Sequence, residues 1–127
     1  MSSELRCISP GLRAFGAVLF GLTGLALAGV GTFSAGHPLH VPISAAFFVG
    51  LTLTLWTYGA GDVRAGAVRR GTVALALGTA NPLAWLGWWL FARDALGPAV
   101  PEAVGAVAFG MWTAGTAVWL TRARSAA

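Results

Sequence analysis

Four long stretches of this chain carry no formal charge: residues 14–36, 41–61, 71–92 and 103–121, of 23, 21, 22 and 19 residues. About 20 apolar residues in a helix cross the roughly 30 Å of hydrocarbon in a bilayer. Each stretch qualifies on length, the fourth by the narrowest margin. None alternates apolar and polar residues with period two, and each is too long for a single barrel strand. In lipid the backbone has to satisfy its own hydrogen bonds, so the four runs read as helices.

Composition agrees. Of 127 residues 57% are hydrophobic and 9% are charged, against about a quarter charged in an ordinary soluble domain. A disordered chain, which needs low hydrophobicity and high net charge, is excluded. All eight basic residues are Arg, and the formal net charge is +4. That balance alone would suit a nucleic-acid binder. The charges, however, sit in short clusters between apolar runs and form no basic helix face, so no nucleic-acid partner is expected. The lone cysteine, Cys7, excludes an intramolecular disulfide and any paired-cysteine metal or redox motif.

Short links, at residues 36–40, 62–70 and 93–102, make sequential helices antiparallel neighbours. Arg6, Arg13, Arg64, Arg69, Arg70, Arg122 and Arg124 all fall on one side of a four-pass topology, and only Arg93 falls on the other. The positive-inside rule then places both termini in the cytoplasm. The expectation is one transmembrane domain over residues 1–127, located in the plasma membrane. It is an all-α, antiparallel four-helix bundle, N-in and C-in, with the third helix kinked at Asn81-Pro82. A competing reading takes Arg6, Arg13 and the run ending Ala26-Leu27-Ala28 as a cleaved signal peptide, which leaves three helices.

Residues 29–61 contain Gly-Val-Gly-Thr-Phe, then Gly-His-Pro-Leu-His, then Ala-Ala-Phe-Phe-Val-Gly-Leu-Thr-Leu. This pattern resembles a family of polytopic membrane proteins in archaea and bacteria known as domain of unknown function 998. The resemblance covers about the first three segments. That family usually has about six membrane helices, and this chain has room for four. No activity is established for the family, so the resemblance implies a fold and no mechanism.

Asn81-Pro82 lies in the middle of the third run. Pro removes a backbone donor and clashes with the preceding turn. Asn is costly in hydrocarbon without a partner. The pair reads as a hinge or a polar point on a transport path. The plainer alternative is a static kink, with Asn81 bonded to a neighbouring helix. Trp85 and Trp88 follow Asn81 at i+4 and i+7 on the same face. They suit either an aromatic wall around a ligand or, with Trp89, an interfacial belt; Trp119 and Trp56-Thr57-Tyr58 read as the opposite belt.

His37, His40, Asp94 and Glu102 occupy the two outer links, and together they have the chemistry for a divalent metal or an acid–base pair. Pro38 breaks helical pairing of the two histidines, and a solvated loop is the simpler and preferred account of them. No cofactor is expected. Small residues spaced by four, Ala17 and Gly21 in the first run and Ala106, Gly110 and Ala114 in the fourth, permit close helix packing within or between chains. Thr52 and Thr54 are expected to bond back to their own helix.

The runs contain no ionisable carboxylate or base, and the chain has no phosphate loop, nucleophile elbow or dinucleotide fingerprint. A non-enzymatic structural, accessory or lipid-interacting membrane component is therefore expected, in contact with lipids and in a homo-oligomer or larger complex. The alternatives are a transporter or channel component working through Asn81-Pro82, Trp85 and Trp88, and a membrane enzyme or metal site in the outer loops.

Overall fold

A computed structural model describes residues 10–127; Arg6, Cys7 and the rest of the first nine residues lie outside the described part. The described chain is all-helical: α1 (Pro10–Thr32), α2 (His40–Arg64), α3 (Val68–Phe91) and α4 (Ala99–Ser125). Each helix covers most of one charge-free run and continues beyond it at one or both ends. Absence of charge marks the hydrocarbon depth, whereas a helix runs on wherever its backbone bonds close. The first helix stops short, at Thr32, ahead of a link containing Ser34, Gly36 and Pro38. Pro disfavours helix in the residue before it.

The middle link is the shortest. Residues 62–70 were expected to form a loop, but only 65–67 do so. Gly66 has φ +86°. Its N–H reaches the Val63 carbonyl at 3.1 Å, and the Ala67 N–H reaches the Asp62 carbonyl at 2.8 Å. This is a Schellman ending, which needs a residue at positive φ and so favours Gly. Asp62 and Arg64 thereby belong to α2, and Arg69 and Arg70 to α3.

α1, α2 and α4 are long and apolar enough to cross a membrane. α3 is as long, but Asn81, Pro82 and Trp85, Trp88 and Trp89 dilute its hydropathy. α2 packs against each of the other three helices. Its Phe47, Leu51 and Leu55 form the core with Phe109 of α4, and Ala26, Val30, Leu77 and Trp112 close around them. Phe109 meets Phe47 edge-on at 5.7 Å and Phe20 at 6.0 Å. The outer surface is strongly apolar: Leu25 is 70% exposed and Phe91 87%. Large contiguous apolar surface of this kind needs lipid or protein to cover it.

Close helix approach occurs at glycines other than those the small-residue spacing picked out. Ala17, Gly21, Ala106, Gly110 and Ala114 are all exposed. Instead Gly71 lies against the α2 backbone, where an added Cβ would sit 2.6 Å from the Gly59 carbonyl oxygen. Gly50 receives Thr23 of α1, whose hydroxyl lies 3.3 Å from that of Thr54. Thr54 donates to the Gly50 carbonyl and Thr52 to the Phe48 carbonyl, each four residues back.

Candidate functional site

The buried residues of α3 are Gly71, Ala74, Gly78 and Asn81. Trp85 and Trp88 extend the same stripe, at spacings of three and four along one helix face. Side-chain volume therefore rises along the α2–α3 contact. At Gly71 and Gly59 the backbones touch. At the other end Phe48 and Trp85 stand between them, ring centroids 5.2 Å apart. Beside this wedge lies a groove of about 700 Å³.

On α2 the groove is lined by a stripe repeating every four residues: Ser44, Phe48, Thr52 and Trp56. On α3 it is lined by Asn81, Pro82, Trp85 and Trp88, and His40, Pro98 and Glu102 stand at its rim. Asn81 and Thr52, both buried, form the polar floor. Asn81 Nδ2 donates to the Phe48 carbonyl at 3.0 Å and to Thr52 Oγ1 at 2.9 Å. Its Oδ1 is buried with no hydrogen-bond partner among the described residues. It faces Gly105 of α4, where a Cβ would come within 2.6 Å of it. Pro82 has no N–H to offer the Gly78 carbonyl, so the ladder is broken one turn below the floor.

Trp85 and Trp88 meet edge-on at 5.8 Å and wall the groove. Trp88 Nε1 also donates to the Leu96 carbonyl, tying down the α3–α4 link. The Trp85 indole N–H is buried and has no partner among the described residues. Trp89 points away, is exposed, and carries the Arg93 guanidinium 4.6 Å from its ring. Trp56 lines the groove on α2 and donates to Thr79 Oγ1 at 3.1 Å. The three α3 tryptophans thus divide, two into the groove wall and one onto the outer surface.

His37, His40, Asp94 and Glu102 do not gather into one cluster. Only His40 and Glu102 reach the groove. His40 Nδ1 is 2.7 Å from the Phe33 carbonyl at the end of α1, so that nitrogen carries the proton. His37 Nδ1 accepts from the Leu39 N–H, and the His37 ring lies tilted against Phe33, centroids 4.6 Å apart. Asp94 is 93% exposed at its side chain and lies 3.6 Å from Arg93. Among the described residues no three His, Cys, Asp or Glu side chains form a metal-binding group.

A second polar site had been hidden inside the expected middle loop. Asp62 is 7% exposed and is clamped by Arg70, whose Nε and Nη2 donate to Oδ2 and Oδ1 at 2.7 and 2.5 Å. The Arg70 guanidinium lies 3.8 Å from the centre of the Trp119 ring of α4. A cavity of about 390 Å³ opens beside this pair. Two charges of opposite sign flanking a three-residue turn were the available signal.

No protein-family model, curated protein or solved structure matches this chain.

Proposed function

We propose that this chain is a non-enzymatic, multipass protein of the plasma membrane that works by holding an amphiphilic lipid-like molecule in the α2–α3 groove. The four helices form an antiparallel bundle with both termini in the cytoplasm. α3 bends at Asn81-Pro82. Three helices of spanning length and apolarity support the setting. The Arg distribution supports the orientation.

The observation that carries the reading is the groove itself: apolar aromatic walls over a small polar floor of Asn81 and Thr52. Ligand sites have this composition, with few polar groups fixing orientation and apolar area supplying affinity. A chain bound along Phe48, Trp85 and Trp88 is removed from bulk lipid, and its polar group meets the rim at His40 and Glu102. Exposed faces of α1 and α4 leave room for further copies or a larger membrane complex.

Native mass spectrometry of protein extracted gently from its own membrane tests this. A retained amphiphile is expected on the native chain. Ala45→Trp projects a large ring into the groove from an exposed position, and it should remove that adduct without loss of folded protein. An adduct of unchanged occupancy on the variant would exclude the groove as its seat.

A second reading makes the groove part of a transport path in an oligomer. The unpaired Asn81 Oδ1 beside a broken helix ladder favours it, because interrupted helices serve as binding points in transporters. Asn81→Leu should then abolish solute flux in reconstituted vesicles while leaving insertion intact. Unchanged flux removes Asn81 from any such path.

A further inference from the structure

The Asp62–Arg70 cavity lies apart from the groove and shares no lining residue with it. Its polar side is made by Tyr58, Asp62, Arg70 and Thr116, and its apolar side by Trp112 and Trp119. A guanidinium presents five N–H donors in a fixed plane. Here Nε and one N–H of Nη2 are committed to Asp62, while Nη1 is buried with no partner among the described residues. A buried charged donor left unpaired is unfavourable, and Arg suits planar, bidentate recognition of phosphate.

The surroundings select the sign of the missing partner. Arg64 and Arg69 flank the same short turn, and Arg122 and Arg124 close α4 just beyond Trp119. All four are exposed. Asp62 is the one acidic side chain beside them among the described residues, and Arg70 already neutralises it. The field at the cavity is therefore positive. Trp112, Trp119 and Leu120 continue from it along α4 as an apolar surface. A positive pocket between membrane helices, with apolar surface leading away, has the chemistry of an anionic lipid headgroup site.

We propose that this cavity is a phosphate site, occupied by the headgroup of an anionic phospholipid of the adjoining leaflet. Arg70 Nη1 turns from its buried position to donate to a phosphate oxygen, the Asp62 carboxylate competes for the same guanidinium, and the acyl chains follow the apolar surface of Trp112, Trp119 and Leu120. The proposal rests on the membrane setting argued above and not on the groove. Tyr58 and Thr116 stand on the polar side as further donors.

The test is lipid titration of the purified full chain by native mass spectrometry, with phosphatidylglycerol, phosphatidylcholine and inorganic phosphate as separate probes. Phosphatidylglycerol should bind more tightly than phosphatidylcholine. Arg70→Gln should weaken phosphatidylglycerol by about tenfold or more, the loss expected for a charged hydrogen bond. Asp62→Asn frees the guanidinium and should strengthen it. Arg93→Gln, in the link at the other end of α3 and outside this cavity, should leave it nearly unchanged. Thr116→Trp fills the cavity without touching the ion pair, and it keeps the test available if Arg70→Gln does not fold. Displacement of the lipid by inorganic phosphate at millimolar levels would reassign the site to a soluble phosphate compound. Equal binding of the two lipids, or wild-type phosphatidylglycerol affinity in Thr116→Trp, overturns the proposal. Ala45→Trp measured in parallel separates the sites: it removes the groove adduct and spares this one.

Discussion

Asn81 places a primary amide in an apolar helix and satisfies only half of it. Its amino group bonds the Phe48 carbonyl and Thr52, while Oδ1 rests against the Gly105 backbone. Interhelical polar bonds in membrane proteins are worth about 0.6 kcal/mol each on average, so the pair contributes roughly 1 kcal/mol. The larger constraint is steric. A methyl group at Gly105 would sit 2.6 Å from Oδ1 and 2.8 Å from the Phe48 ring, on two sides of one contact. Gly105→Ala should destabilise the fold by about 1–3 kcal/mol, the usual cost of overpacking. The neighbouring exposed Ala106→Gly should change stability by no more than about 1 kcal/mol, the helix-propensity difference. Reversible unfolding in mixed micelles measures both, and equal effects would contradict the assigned α4 face. Asn81 stands out in the sequence because it is polar in an apolar run. Gly105 does not, since Gly and Ala occur on every face of these helices, and spacing by four picked the stripe one residue away.

The charge-free runs made all four helices legible, because length and apolarity are properties of a segment by itself. Their ends were less so. Asp62 and Arg70 read as loop charges, yet bidentate pairing lets both sit inside helices that a three-residue turn separates. Packing order was not legible either, because it depends on which glycine faces which backbone. On α3 the contact stripe runs from Gly71 through Gly78 to Asn81 and Trp85, from no side chain to the largest one. Backbone contact at one end and ring contact at the other leave the groove between. Gly71→Ala would bring a methyl group within 2.6 Å of the Gly59 carbonyl and 2.7 Å of the Val63 nitrogen. Neither backbone atom moves without parting the helices. A loss of about 1–3 kcal/mol is expected, together with a changed Trp emission as Trp56 and Trp85 shift. Gly24→Ala meets nothing within 4 Å; it should leave the emission at wild type and raise stability by no more than about 1 kcal/mol, the helix-propensity difference. Parity between the two variants would remove the α2–α3 backbone contact as an organising feature.

At the scale of the whole molecule, α3 is the helix whose passage across the membrane needs argument. Its mean hydropathy is lowered by Asn81, Pro82 and the tryptophans, below that of the other three helices. Its environment is not that of an isolated segment. Asn81 is buried and bonded to α2, Trp85 and Trp88 are half-buried in the groove wall, and the residues it presents outward include Leu83, Leu86 and Leu90. The face offered to lipid is therefore far more apolar than the average. In the proposed topology α2 carries α3 across, since polar groups at depth are tolerated when they face protein. The placement of Arg residues then makes a sharp prediction. In a Cys7→Ser background, Ala67→Cys marks the α2–α3 turn and Gly97→Cys marks the α3–α4 link. A membrane-impermeant maleimide added to intact cells should label position 97 and leave 67 unlabelled until the membrane is opened. Labelling of 67 alone would invert the orientation. Both sites labelled together, or both protected together, would put the two ends of α3 on one side. That outcome would turn α3 into a helix lying at the interface and leave three helices crossing.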